Sequence, residues 1–167
     1  MSTPDLIIRA VEEADRSALW PILRDVIRPG DTYAIDPDIS REDLLQYWCD
    51  APAACFVADA DGELLGTYYI KTNQPGGGSH VCNCGYITAP GARGRGVAEA
   101  MCRHSQEAAR DLGYLAMQFN FVLTSNEGAI RLWMRLGYET VGRLPRVFRH
   151  PEQGLVDALV MFKWLDS

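Results

Sequence analysis

The run Gly85-Tyr86-Ile87-Thr88-Ala89-Pro90-Gly91-Ala92-Arg93-Gly94-Arg95-Gly96-Val97-Ala98 constrains this chain more than any other. It reads as a strand halted at a proline, a turn rich in glycine and arginine, and the start of a helix. A helix N-terminus leaves backbone N–H groups without partners and carries the positive end of the helix dipole. Two guanidinium groups stand beside it. Together these groups suit a pyrophosphate. The chain is therefore expected to fold as an α/β protein with a phosphate-bearing cofactor at a strand–helix junction.

The flanking sequence supplies the rest of the sheet and its helices. Leu6-Ile7-Ile8 reads as a first strand, and Ala18, Leu19, Ile22, Leu23, Val26 and Ile27 recur at helical spacing. Pro21 should end or kink that helix. Ser40 with Asp43 is close to a capping box and opens a second helix through Leu44, Leu45 and Trp48. Cys55–Ala58 and Leu64–Ile70 read as strands joined by a hairpin over Asp59–Gly62, and His80–Thr88 as the strand that enters the opening run. Val97, Met101, Cys102, Ser105 and Ala109 then trace one helix face, stopped by Gly113. Leu115, Met117, Phe119 and Phe121 alternate as one face of a strand. Thr124 and Glu127 form a capping box ahead of a last helix closed by Gly137. Strands are expected near Tyr138–Val141 and Val156–Trp164, joined by a basic loop, Arg143–His150. No linker or internal repeat divides residues 1–167, so a single domain is expected.

Two familiar phosphate loops are excluded. Gly91 and Gly96 have P-loop separation, but Val97-Ala98 follow, which leaves no lysine for the terminal phosphates and no hydroxyl for magnesium. A dinucleotide fingerprint on Gly94 and Gly96 would place Glu99 at its third small position, where a carboxylate spoils close packing. What remains is Arg93-x-x-Gly96-x-Ala98. With Asn126-x-x-Ala129-x-x-Leu132-Trp133-x-x-Leu136-Gly137-Tyr138, the chain resembles the GNAT superfamily of N-acetyltransferases in both of its signature segments.

The resemblance implies a mixed, splayed β-sheet flanked by helices, with acetyl-CoA as acetyl donor and no metal. It implies cofactor contacts from Ile87, Thr88 and Ala89 at a splayed strand end, from Arg93, Gly94, Arg95, Gly96, Val97 and Ala98 in the turn, and from Asn126 and Trp133. An amine would attack the thioester directly. The family's frequent acid is a tyrosine where this chain has Trp133, whose indole cannot serve as a practical proton donor. Nor does His80–Ala89 hold a carboxylate to act as base. The polar residue of that strand is Asn83, expected to orient the amine, with Asn120 on the neighbouring strand as its catalytic companion. Asn83, Asn120 and Asn126, with Leu132-Trp133, are similar to the arrangement in fungal azetidine-2-carboxylate acetyltransferases.

Tyr33, Asp36 and Trp48 flank the segment between the first two helices, which borders the acceptor pocket in the family; Tyr33 is taken as a substrate contact. Cys82-x-Cys84 and Cys102 read as core thiols and His104 as a surface or satisfied residue near the core. The formal net charge of −6 argues against nucleic-acid binding. Five cysteines without framework spacing fit a reducing, cytoplasmic setting, and no apolar run suggests a membrane span. The N-terminus lacks the basic and apolar stretches of a secretion signal. The expected reaction is acetylation of a small-molecule amine, an amino acid or analogue. The rivals are protein or peptide N-acetylation and a non-catalytic acyl-CoA sensor. The sequence leaves oligomeric state open, a homodimer included.

Overall fold

The computed structural model describes residues 5–166, so the Met1–Pro4 part of the N-terminal reading lies outside the described residues. Its strands are β1 (Leu6–Ala10), β2 (Ala54–Ala60), β3 (Glu63–Thr72), β4 (Val81–Thr88), β5 (Ala116–Leu123), β6 (Glu139–His150) and β7 (Gly154–Trp164). The helices are α1 (Arg16–Ile27), α2 (Arg41–Leu45), α3 (Val97–Asp111) and α4 (Glu127–Arg135). The strands form one sheet in the order β1-β2-β3-β4-β5-β7-β6. All neighbours are antiparallel except β4 and β5, which run parallel. The expected mixed sheet flanked by helices is what forms.

Strand alternation divides the core between two faces. On one face, α3 lays Met101 and Cys102 against Ile70, Cys82, Met117 and Tyr138. On the other, α1, α2 and the turn after α2 pack Leu23, Ile27, Leu44 and Trp48 against Tyr69 and Ile87. The Trp48 indole N–H donates to Thr67 Oγ1 at 3.0 Å, so this buried ring carries no unpaired donor. The cysteines read as core are buried, Cys82 and Cys102 fully so.

Four details depart from the expectations drawn from the sequence. Pro21 stands inside α1 without ending it. Removing its N–H and crowding the Ser17 carbonyl is outweighed by burial of Leu19, Leu23, Val26 and Ile27 along the same face. The cap of α4 is Asn126, whose side chain accepts from the Ala129 N–H, while Thr124 Oγ1 donates to the Asp157 carbonyl. Arg143–His150 is no loop but the greater part of β6, paired to β7 from Arg143↔Leu159 to His150↔Gly154 with an irregularity between Leu144 and Phe148. Finally, a bulge in β5 after Phe119 shifts the inward phase, so Val122 rather than Phe121 fills the core.

Of the two readings of His104, surface or satisfied, the second holds: its Nδ1 and the Tyr68 hydroxyl share a hydrogen bond of 2.6 Å. Burial pulls its pKa below the ordinary 6.5, against the opposing pull of Glu107 and Asp111. A depressed folded pKa favours the neutral ring, so this contribution to stability is complete above pH 6.5 and is lost as pH falls through the lower folded value. The melting temperature should therefore fall as pH drops from 7 towards 5, and His104→Phe should flatten that slope. A slope of equal steepness in the variant would place its origin elsewhere.

Candidate active site

The parallel pairing of β4 with β5 stops almost as soon as it starts. Only Val81↔Ala116 and Cys82↔Met117 are in register. Beyond them the strands part and open a cleft of about 860 Å³. Asn83, at the point of divergence, donates its Nδ2 to the Gln118 carbonyl at 2.9 Å and so bridges the fork. The residue is 7% exposed, and no fully buried side-chain nitrogen or oxygen among the described residues lacks a partner. The cleft-lining Oδ1, with no protein donor, is thus available to a ligand N–H.

Past the fork, β4 turns alternate residues to β3 and to the gap. The Ala89 N–H is spent on the Leu65 carbonyl, so it is not free for a ligand. Tyr86 faces the gap, and both of its backbone groups meet the Tyr33 hydroxyl, which donates to the carbonyl and accepts from the N–H. Burial pushes the Tyr33 phenol pKa up, so the hydroxyl stays protonated across the neutral range. Cys84 also lines the gap, but its thiol is in the α3-side core against Met117 Sδ, and burial raises its pKa too. It is not a thiolate nucleophile.

One end of the cleft is the turn before α3. Gly94 and Gly96 both have φ +77°, and Gly96 is the N-cap of α3. A Cβ at either would meet nothing within 4 Å, so glycine answers to backbone conformation there and leaves the approach open. The first helical N–H groups of α3 have no partner inside the helix. Arg93 lines the cleft and Arg95 flanks it, and neither guanidinium makes an ion pair among the described residues. Glu99, the acid that closes the turn, is held by Arg103 and Arg135 at 2.9 and 2.7 Å, which lowers its pKa. Helix N–H groups without partners, the open approach over Gly94 and Gly96, and the unpaired Arg93 guanidinium thus stand together at this end.

Of the other residues expected to touch the cofactor, Ile87, Thr88, Val97, Ala98, Asn126 and Trp133 line the cleft, and Ala89 and Arg95 do not. Trp133 is 8% exposed and packs against Phe119 and Tyr86 with ring centroids 5.0 and 5.1 Å away. It serves as an apolar wall where a tyrosine would have offered a hydroxyl.

The far end of the cleft opens on the α1–α2 face. Asn83 and Asn120 line its floor, and Asn120 is fixed by neighbours outside the cleft: Gln118 Nε2 donates to Asn120 Oδ1, and Asn120 Nδ2 to Asn73 Oδ1, at 2.8 and 2.7 Å. Asn120 is brought beside Asn83, but its amide is committed at both ends. Tyr33 lines this end; Trp48 is fully buried beneath it, and the exposed Asp36 caps its own loop through the Asp38 N–H. Sequence reasoning missed Asp31, Tyr47, Tyr69, Lys71 and His150, all of which line the cleft. Gly85 could have flagged one of them, since a Cβ there would lie 2.6 Å from the Tyr69 ring. Among the described residues no group of three or more His, Cys, Asp or Glu gathers to hold a metal ion, and no helix is long and apolar enough to cross a membrane.

Residues 20–138 match the sequence model of the acetyltransferase (GNAT) family. The chain is 32% identical over 161 residues to N-acetyltransferase aca1 of Schizosaccharomyces pombe, covering 86% of this chain and 77% of that protein. A GCN5-related N-acetyltransferase structure from Kribbella flavida superposes with TM-score 0.90 and 38% identity, over 95% of this chain and 97% of that one. The fold is also that of yncA from Salmonella typhimurium, solved with its cofactor acetyl-CoA, at TM-score 0.84 and 18% identity, over 98% of this chain and 95% of that one.

Proposed function

The chain belongs to the acetyltransferase (GNAT) family, and we propose that it transfers the acetyl group of acetyl-CoA to the amine of a small molecule, an amino acid or analogue, in the cytoplasm. The observation that carries this reading is the fork between β4 and β5. It joins an anion cradle at one end of the cleft to a floor of asparagines at the other. On this reading Gly94, Gly96, Val97 and Ala98 offer backbone N–H groups, and Arg93 and Arg95 their guanidiniums, to the pyrophosphate. Asn126 and Trp133 wall the opposite side of that approach. The free cysteines, buried or half-buried, support a reducing compartment.

Acetyl-CoA supplies an activated thioester: the amine nitrogen bonds to its carbonyl carbon, the C–S bond breaks, and the nitrogen gives up a proton as the sulfur gains one. Asn83 Oδ1 is assigned to accept from the attacking amine and aim its lone pair. Asp31 lines the acceptor end without an ion pair among the described residues and is the carboxylate placed to receive the amine's proton through solvent. Tyr33 takes the part of the absent tyrosine, because its hydroxyl already sits in the fork on the Tyr86 backbone. Tyr33→Phe should lower kcat about 100-fold or more, the scale of a general acid, with KM for acetyl-CoA little changed. An unaltered kcat would remove Tyr33 from the chemistry.

A thiol-release assay across small amines, amino acids and short peptides tests the function as a whole. Turnover with a small amine is expected. Turnover with peptides alone would mark a protein acetyltransferase, and acetyl-CoA binding without turnover on any amine would mark a sensor.

A further inference from the structure

We propose that Lys71 is a carboxylate-binding subsite and that the acceptor is accordingly an amino acid carrying its carboxylate beside the reacting amine; this rests on the proposed acetyl transfer and narrows its substrate class. Lys71 lies on β3 directly opposite Asn83 of β4. Opposed residues of an antiparallel pair project from the same face, so Lys71 and Asn83 leave the sheet together toward the acceptor end. Lys71 lines the cleft, and among the described residues it makes neither an ion pair nor a hydrogen bond. Its neighbours are aromatic faces, with Nζ 5.2 Å from the Tyr47 ring centroid and 5.3 Å from that of Tyr69.

Those two rings meet edge to face, 6.0 Å between centroids. They hold the charge over the cleft through cation–π contact without neutralising it. The nearby lining residues Asn83 and Asn120 are uncharged, and Asp31 on the same cleft does not pair with Lys71. A half-buried cation with no anion of its own in a substrate cleft is completed by an anionic ligand. An α-amino acid meets both requirements: its nitrogen reaches Asn83 Oδ1 while its carboxylate takes the ammonium next door.

The test pairs each of a panel of L-amino acids with its carboxamide as acceptor, in wild type, Lys71→Met and Lys71→Arg. Wild type should prefer the acid over the carboxamide by at least about 10-fold in kcat/KM, the scale of a hydrogen bond to a charged group. Lys71→Met should raise KM for the acid about 10- to 100-fold while leaving kcat and the KM for acetyl-CoA nearly unchanged. The preference should vanish in that variant and survive in Lys71→Arg. Calorimetric titration of the best amino acid into CoA-loaded protein supplies a second readout, with affinity lost in Lys71→Met. Equal use of acid and carboxamide by wild type, equal losses on both in Lys71→Met, or titrations that do not differ would each overturn the assignment. Failure of every amine to release thiol would instead overturn acetyl transfer, and the titration would still decide for or against Lys71.

Discussion

Gly96→Asp should raise the dissociation constant for acetyl-CoA about 100-fold or more while leaving the protein folded. Gly96 is the N-cap of α3 at φ +77°, with open space where a side chain would go. Aspartate tolerates the left-handed region better than most residues, so the substitution strains the free protein at one turn residue without unfolding it. Its carboxylate would nevertheless occupy the space a phosphate needs. Two like charges about 5 Å apart at an effective dielectric of about 20 repel by roughly 3 kcal/mol, near two powers of ten in binding. Arg93→Ala in the same chain should add to the loss. Calorimetry with acetyl-CoA, alongside a melting curve, checks both halves: unchanged affinity in a folded variant would refute the pyrophosphate cradle.

Asn83→Ala should lower kcat about 100-fold, the cost of misplacing a reacting group, and change acetyl-CoA affinity by less than about threefold. It should also cost stability, because the Gln118 carbonyl loses its donor at the fork. An unpaired buried acceptor costs about 1–3 kcal/mol, or a fall in melting temperature of several degrees for a chain of this size. The split between kcat and donor affinity is the decisive readout. If both fell together, Asn83 would be only the bridge between β4 and β5, and the amine would have to be aimed by another group.

The strands that became β2 and β3 were legible from their apolar runs and the turn signal at Asp59–Gly62 between them, although β3 is buried on both faces. The sheet was illegible in β6, whose residues are mostly exposed on both faces, so that Arg143–His150 shows no alternation and reads as a basic loop. The sequence offered two openings for α4, the Thr124–Glu127 capping box and Asn126 of the second signature segment, because both residues are competent caps. The choice between them is made by Asp157, whose carbonyl takes the Thr124 hydroxyl. In the candidate site, the anion cradle could be read because its groups are backbone and local. Asn83 could be read too, as a lone amide in an apolar strand. Lys71, Tyr47 and Tyr69 could not, because Tyr47, on the turn after α2, meets Tyr69 and Lys71 of β3 only when that turn docks beside the strand.

The parting of β4 from β5 also has an evolutionary side. On the proposed assignment, the donor half of the cleft is built from peptide groups and glycine conformations, which most substitutions elsewhere leave untouched. The acceptor half is built from side chains on β3, the segment after α1 and the turn after α2. Since the two halves meet only at the fork, mutations can rewrite what is acetylated without disturbing what does the acetylating. A lineage with this architecture can inherit its donor intact while its acceptor drifts.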